Sequence, residues 1–384
     1  MRILQVHNHY RHAGGEDSVV LAEAELLRSA DHQVDQYLVR NPTGALAAAG
    51  SLAFSAWNPW AARDVRSFAE RHRPDVAHVH NTWYSLSPSI LRALKDGGLP
   101  LVMTLHNYRL VCANALLFRS GRPCQDCVGT HPWHGVRHKC YRGSTLASAA
   151  AATTIALGQA RHTWDRDVDL FLALSEFAKR QFVAGGMPPS KIRVKPNFVS
   201  DPGPRSRPPS DSRTLLYVGR LSPEKGVDLI IDAWEALDAT NLELHIVGDG
   251  PSRPHLAARE VAGVRLLGAL PNNEVARLMS AARALLFPSI WYEGQPMVIL
   301  EAFASGLPVL GSDLGGTAEL LAPLGNRWLV RQPADHEVWS SAVFGLLDDD
   351  EVDATGRLVR ELYETRFTPD AGLSHLEETY RSLV

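Results

Sequence analysis

The sequence lacks any apolar stretch long enough to cross a membrane. None of its hydrophobic runs reaches the roughly 18 residues that a spanning helix requires. The first six residues are a short β-type run and lack the long apolar centre of a signal peptide. The formal net charge is only −3, so no strong positive field draws the chain to nucleic acid. We therefore expect a cytoplasmic protein with no nucleic-acid partner.

Several signatures of nucleotide and metal chemistry are also missing. The chain has no P-loop and no H-E-x-x-H motif, and Gly248-Asp249-Gly250 does not continue as G-x-G-x-x-G, which argues against a dehydrogenase. Two acidic segments, 167–169 and 348–350, could suggest a metal-binding D-x-D motif. The first precedes a predicted strand, at the wrong end for a site, and the second is typical of a helix terminus. We interpret both as solvated.

Cysteine is scarce and confined to one segment. The four cysteines lie in an irregular insertion, 106–144, rich in Gly, Pro, His and Arg, with the spacing C-x11-C-x2-C-x12-C. In a reducing compartment this pattern favours a metal site over disulfides. We expect a structural zinc site, with a neighbouring histidine (His131, His134 or His138) able to replace one ligand, at Cys112, Cys124, Cys127 and Cys140. An iron–sulfur cluster and free or oxidised thiols remain alternatives.

Short β-rich runs alternate with helical segments along the chain, which predicts parallel sheets covered by helices. At roughly 100–200 residues per domain, the length predicts two domains. The alternation pauses at a Pro-rich polar stretch that we interpret as a linker. The expected domains are 1–200, with the insertion, and 213–369, joined by 201–212.

Glycine and polar residues follow most of the predicted strands. Because ligands bind beyond the carboxyl ends of parallel strands, we expect these residues to line a site. Two glycines, Gly14-Gly15, precede a helix whose N-terminus favours an anion. Arg220 and Lys225 flank a second glycine and suit a diphosphate leaving group. In isolation, each of these signals is equally typical of an ordinary turn or of solvated charges.

Two glutamates eight residues apart complete the candidate site. Glu293 is predicted to lie in a loop, and Glu301 about one turn inside the following helix. The amides after Gly294 can point at a phosphate. Solvated surface positions are the alternative interpretation of this spacing.

Together these segments resemble the retaining glycosyltransferases of the GT-B fold, family 4, over nearly the whole chain. The strongest element is the segment from Glu293 to Glu301, which is similar to the family's E-x7-E motif. Three further segments resemble its donor-diphosphate loop, its N-terminal glycine loop and the segment carrying a catalytic-site histidine, namely 219–226, 14–15 and 104–107. The order and spacing of these motifs make the resemblance specific.

The resemblance implies an α/β protein of two Rossmann-like parallel-sheet domains facing across a cleft, with a C-terminal helix, 370–384, packed back on the first domain. It also implies residue roles. The catalytic set is His106, Glu293, Arg220 and Lys225; the donor-binding set is Gly14, Gly15, Arg220, Lys225, Gly294, Glu301 and Leu270. One departure is Pro296, where many members have glycine. Proline has no N–H, so one donor contact is lost there.

The implied reaction moves a sugar, with retention, from a UDP- or GDP-sugar to a hydroxyl of a glycan, lipid-linked or small-molecule acceptor. The leaving diphosphate is stabilised by fixed cations, with no catalytic metal. A nucleotide-sugar epimerase, a phosphorylase and a non-catalytic sugar-nucleotide-binding protein are alternatives on the same fold. Trp57, Trp60 and nearby arginines predict either a peripheral contact with the inner face of a membrane or an ordinary amphipathic helix.

Overall fold

The computed structural model describes residues 1–10, 14–237 and 241–384. The chain divides into two units. The first comprises Met1–Leu117, Cys124–Pro196 and Gly372–Val384, and the second comprises Phe118–Pro123 and Asn197–Ala371. Both are α/β units, as the alternation of runs predicts.

A six-stranded parallel sheet forms the centre of the first unit, in the order β2-β1-β3-β4-β7-β8. Its strands are β1 (Arg2–His9), β2 (Gln33–Arg40), β3 (Val76–Asn81), β4 (Leu101–Leu105), β7 (Leu170–Ala173) and β8 (Ile192–Val194). Its helices are α1 (Gly15–Ser29), α2 (Ala45–Ala53), α3 (Pro59–His72), α4 (Ser89–Asp96), α5 (Trp133–Arg137), α6 (Thr145–Ala160), α7 (Thr163–Arg166), α8 (Glu176–Ala184) and, from the far end of the chain, α16 (Pro369–Arg381).

The strand order places a crevice at the carboxyl ends of β1 and β3. The chain moves from β1 to one neighbour, β2, and then crosses to the other side of β1 to form β3. At such a reversal the connections lead away on opposite sides and leave an opening above the sheet. His7 and His9 lie at the end of β1, and Asn81 ends β3.

The second unit repeats this arrangement in its own parallel sheet, in the order β11-β10-β9-β12-β13-β14. The strands are β9 (Thr214–Val218), β10 (Glu243–Val247), β11 (Val264–Gly268), β12 (Ala284–Phe287), β13 (Val309–Ser312) and β14 (Leu329–Val330). The helices are α9 (Val227–Glu235), α10 (Arg253–Ala257), α11 (Asn272–Ala281), α12 (Met297–Ala304), α13 (Gly315–Leu321), α14 (His336–Phe344) and α15 (Asp349–Arg366). Here the order reverses between β9 and β12.

Helix α16 belongs to the core of the first unit although it is the last helix in the chain. Leu376 and Tyr380, four residues apart on one face, are fully buried. They pack in one hydrophobic cluster with Ile3 of β1 and Val76 of β3. The sheet of the first unit is therefore covered in part by a helix that follows the second unit in the sequence.

The Pro-rich segment 201–212 packs against the second unit. It was predicted as a linker outside both domains, whereas the second unit begins at Asn197 and includes it. Arg205 donates to the carbonyl oxygens of Gly306 and Ala282, and Pro209 is buried. The segment has no long helix or strand, and its Arg205 side chain attaches it to the second unit by donating to backbone carbonyl groups there.

Within the described residues, the insertion contains a small antiparallel hairpin of β5 (Phe118–Arg119) and β6 (Arg122–Pro123). Over all the residues that the structure describes, no helix is both long and apolar enough to cross a membrane.

Candidate active site

Lys225 and Glu293 form an ion pair at the strand reversal of the second unit. Lys225 follows β9 and Glu293 follows β12, the two strands between which the order reverses. The Lys225 Nζ atom lies 2.6 Å from Glu293 Oε1, which also accepts hydrogen bonds from Ser289 Oγ (2.9 Å) and Trp291 Nε1 (2.8 Å). Three donors on one oxygen fix the position of the carboxyl group. The structure thus brings together two predicted site residues 68 positions apart.

The Lys225 loop depends on a glycine. Gly226 has a φ of +68° and caps α9. A Cβ at this position would lie 2.1 Å from the carbonyl oxygen of Pro288, in the segment that leads to Glu293. Only glycine combines this backbone conformation with so close an approach. Lys225 and Glu293 are therefore held together by backbone packing as well as by charge.

A second glycine pair, Gly315-Gly316, was not singled out from the sequence. The Gly316 N–H donates to the carbonyl oxygen of Glu293, and a Cβ on Gly316 would lie 2.1 Å from the carbonyl oxygen of Gly294. The pair opens α13 directly after β13, as Gly14-Gly15 does after β1. The signal was a Gly-Gly between a strand and a helix, but its function here is to support the Glu293 loop.

The remaining predicted donor-site residues of the second unit lie on neighbouring segments. Arg220 is exposed in the loop after β9, and Leu270 is partly buried just beyond β11. Glu301 lies in the second turn of α12, whose N-cap is Pro296. Burial raises the pKa of the Glu301 carboxyl above its ordinary value. A hydroxyl donor placed beside it would relieve that cost of burial.

In the first unit, His106 follows β4 and pairs with a histidine of β3. His106 Nε2 and His80 Nδ1 are 3.0 Å apart, and the two rings stack. Burial, together with the nearby Lys195, holds the pKa of His106 well below its ordinary value. His106 is therefore a neutral imidazole near neutral pH. Its partner His80 was not predicted, although it lies near the carboxyl end of β3, the position from which residues after the other strands were chosen.

Beneath this pair is a buried ion pair between Glu23 of α1 and Lys195, after β8. Both side chains are almost fully inaccessible, and Lys195 Nζ donates to Glu23 Oε1. The second oxygen, Oε2, lies 3.7 Å from His80 Nε2. Through His80, the charged pair is adjacent to the predicted catalytic histidine.

A third histidine, His78 of β3, connects this network to the last helix. His78 Nδ1 lies 2.8 Å from the Tyr380 hydroxyl of α16, and His78 Nε2 lies 2.7 Å from Thr104 Oγ1. Burial lowers the pKa of His78 to about 4, so its ring is neutral and bonds through one donor and one acceptor nitrogen.

The Gly14-Gly15 loop differs from its predicted use in one respect. Gly14 is the N-cap of α1, and its N–H donates to Asp17 Oδ2 at 2.9 Å. The Gly14 amide is thus engaged within the chain, and Gly15 is the member of the pair whose amide begins the helix. The prediction gave both amides the same role, because it did not consider an acidic residue three positions after Gly14.

The four cysteines share one neighbourhood without forming a tight cluster. Burial, followed by the effect of Cys112, raises the pKa of Cys127 to about 11; Cys140 and Cys124 act in the same direction. In the described ranges, however, the groups of three side chains with potential ligand atoms within 4.8 Å of one another contain no cysteine. They are His7, His9 and Asp17, and Glu23, His78 and His80. The members of each group are joined by hydrogen bonds or ion pairs in the first unit.

The two acidic segments set aside from the sequence have structural partners. Asp167 accepts from Arg92, and Asp169 accepts from Lys95 and from the Leu101 amide. Asp348 is the N-cap of α15.

On the predicted aromatic face, Trp60 is 60% exposed and Trp57 38%. Contact of this face with a membrane stays a prediction.

Comparison with known proteins finds two family models that match the two parts of the chain. Residues 13–201 match the model of Glycosyltransferase Family 4, and residues 212–349 match that of Glycosyl transferases group 1. Together the two models cover most of the chain. The chain is 26% identical over 366 residues to phosphatidyl-myo-inositol mannosyltransferase of Mycolicibacterium smegmatis, covering 89% of this chain and 83% of the relative.

Other relatives match over shorter stretches. The putative teichuronic acid biosynthesis glycosyltransferase TuaC of Bacillus subtilis is 33% identical over 135 residues, which is 35% of this chain and 33% of TuaC. The match thus spans about a third of that relative's length. Among solved structures, Anabaena Alr3699/HepE in complex with UDP has a TM-score of 0.69 at 18% identity, with full coverage of both chains. That likeness supports the predicted fold class, which is confirmed.

Proposed function

We propose that this protein is a retaining glycosyltransferase that moves a hexosyl group from a UDP- or GDP-sugar to a hydroxyl of a glycan, lipid-linked or small-molecule acceptor. The observation that carries the proposal is the Lys225–Glu293 pair at the strand reversal of the second unit. A cation fixed there suits a leaving diphosphate, and an oriented carboxylate suits sugar hydroxyls. Alr3699/HepE, a structural neighbour, binds UDP-glucose.

The proposal assigns each donor group to residues of the second unit. Arg220 and Lys225 neutralise the diphosphate, so that no catalytic metal is needed for the departure of the leaving group. Glu301 accepts hydrogen bonds from the ribose hydroxyls, and Leu270 lies against the base. Glu293 contacts the donor sugar once the diphosphate draws Lys225 away from it. The proposal also keeps His106, in the first unit, as a catalytic residue.

Nucleotide binding gives the direct test. We expect one nucleotide among UDP, GDP, ADP and dTDP to raise the melting temperature of the wild type, by the equivalent of about 2.7 kcal/mol at 100 times its Kd. Glu301→Ala is expected to lose most of that shift, because the ribose loses its acceptor. Glu274→Ala, an exposed glutamate in the first turn of α11, is the matched control and should keep it.

Differential scanning fluorimetry of the three proteins gives the readout. If no nucleotide stabilises the wild type, or if Glu301→Ala responds as Glu274→Ala does, the donor-site assignment is wrong. Analysis of the products with and without an acceptor then distinguishes transfer from epimerisation, which needs no acceptor.

We also propose that Cys112, Cys124, Cys127 and Cys140 bind a structural zinc ion. All three other thiols act on Cys127, which supports one shared environment, and four thiolates form a closed, non-catalytic donor set. Zinc would replace the protons of these thiols and order the insertion.

Metal analysis of the purified protein tests this proposal. We expect about one zinc per chain by inductively coupled plasma mass spectrometry. The double variant Cys124→Ser/Cys127→Ser should lose it. His134→Ala is the control, because His134 stacks on His131 in the same insertion and is outside the cysteine set. Absence of zinc from the wild type would contradict the proposal. Loss of zinc in His134→Ala would show that His134 is a ligand in place of one of the cysteines.

A further inference from the structure

The carboxyl group of Glu16 has an unusual environment. Glu16 lies in the first turn of α1, at the carboxyl end of β1, and its side chain is 10% exposed. Its Oε2 atom accepts a hydrogen bond from Asn107 Nδ2 at 3.2 Å. Its Oε1 atom is buried and has no hydrogen-bond partner among the residues that the structure describes. An acidic residue in a first helical turn usually extends into solvent, where it interacts with the helix dipole.

The neighbouring histidine is oriented by an adjacent carboxylate. His7 Nε2 lies 2.9 Å from Asp17 Oδ1. Although burial opposes ionisation, hydrogen bonds from His7, Gly14 and His9 keep the pKa of Asp17 below its ordinary value, so Asp17 is ionised. His7 must therefore carry its hydrogen on Nε2, which leaves a lone pair on Nδ1. That Nδ1 atom is also buried without a partner, 3.8 Å from a Glu16 oxygen.

These two unpartnered atoms lie where a ligand is expected. They are at the strand reversal of the first unit, next to the segment that carries His106 and Asn107. A buried polar atom without a partner costs roughly 1–3 kcal/mol, and a charged one costs more. A hydroxyl that donates to Glu16 Oε1 would remove this cost. The Asn107 amide that donates to Glu16 also donates to the Tyr10 hydroxyl at 3.0 Å. These two hydrogen bonds hold the Glu16 carboxyl group in one orientation.

We propose that Glu16 binds the attacking hydroxyl of the sugar acceptor and takes its proton. As the acceptor oxygen bonds to the anomeric carbon, the O–H proton passes to Glu16 Oε1, and the bond from that carbon to the diphosphate breaks with its electron pair going to the phosphate oxygen. His7 Nδ1 then accepts a hydrogen bond from the protonated carboxyl. This inference rests on the proposed function and adds to it the group that receives the acceptor proton.

The charges around Glu16 give this role a pH dependence. Within the described ranges, the titratable groups that face it are His7 and Tyr10 from β1 and its end, Asp17 from its own helix, and Arg109 from the segment after β4. Burial raises the pKa of Glu16 to about 8, against the opposing effect of the Asn107 hydrogen bond. Since the proton acceptor must be ionised, the turnover rate should rise as the pH increases through this value.

The test uses the full-length protein with UDP-glucose as the probe and measures UDP release, with methyl glucoside or water as the acceptor, on either side of pH 8. Glu16→Gln should lower kcat by about 100-fold or more and abolish the rise with pH. Glu16→Asp should recover part of the rate. Glu25→Gln, an exposed glutamate on the same helix, should behave as the wild type.

Nucleotide binding separates the possible failures. The expected result is that Glu16→Gln keeps the thermal shift with UDP while it loses turnover, because donor binding belongs to the second unit. If Glu16→Gln keeps both its turnover and the rise with pH, the role of Glu16 is wrong and the proposed function stands. If the wild type neither binds UDP nor releases it from UDP-glucose while another nucleotide binds, the sugar nucleotide of that base replaces the probe. If no nucleotide binds, the proposed function and this inference are both wrong.

Discussion

Replacing Lys225 with methionine is expected to lower kcat for sugar transfer by about 100- to 1,000-fold, the effect of removing one fixed electrostatic contact to a developing negative charge. Methionine keeps the length of the aliphatic stem and removes only the charge. Glu293 would retain its hydrogen bonds from Ser289 and Trp291, so the loop should keep its shape. UDP release from UDP-glucose measures the effect.

The control for this variant is Arg277→Met, which removes an exposed cation from α11 in the same unit. It should change kcat less than twofold, within about 0.4 kcal/mol. Glu293→Gln provides a second comparison, because the amide keeps the volume of the side chain but not its charge. If Lys225→Met turns over as fast as Arg277→Met, Lys225 does not stabilise the leaving group, and the ion pair is structural only.

The largest effect on stability is expected at the buried pair of Glu23 and Lys195. Lys195→Met would leave the Glu23 carboxylate uncompensated in the core, which costs about 3–5 kcal/mol of unfolding free energy. The double variant Glu23→Leu/Lys195→Met removes both charges and should recover most of this loss, since apolar replacements of a buried pair are often neutral. Urea unfolding followed by tryptophan fluorescence measures both.

Lys95→Met is the matched control for the buried pair. It breaks the ion pair with Asp169, in which both side chains are about a quarter to a third exposed. Such a pair contributes about 0.2–1 kcal/mol. Equal losses in Lys95→Met and Lys195→Met would show that burial does not amplify the Glu23–Lys195 interaction. A double variant less stable than Lys195→Met would show that the pair itself, and not only its charge balance, stabilises the core.

The regular alternation of the fold could be predicted from the sequence, and the resemblance implied its last helix, but its shortest elements could not be predicted. Strands such as β14 (Leu329–Val330) contain too few residues for a period to be visible. The acidic segment 348–350 is typical of a helix terminus, and Asp348 with the three acidic residues after it begins α15, with 18 residues the longest helix in the described chain.

The candidate site could be predicted in its residue types, and only in part in its connections. The E-x7-E segment identified Glu293, but its pairing with Lys225 depends on the adjacency of β9 and β12, which sequence spacing does not contain. Glu23 was not identified for another reason, since it lies among apolar neighbours on a buried face of α1, where a pattern-based interpretation assigns only packing. His80 carried a signal that was not used, because it lies near the carboxyl end of β3 and is followed by polar residues.

Helix α16 makes the two halves of the chain unequal during synthesis. The second unit is almost continuous in sequence, so it can fold once residue 371 has left the ribosome. The first unit begins to emerge far earlier, yet Leu376 and Tyr380 complete its core. Its apolar sheet face must therefore wait, incompletely covered, while the whole second unit is made. The unit that begins to emerge first is thus the unit whose core is completed last.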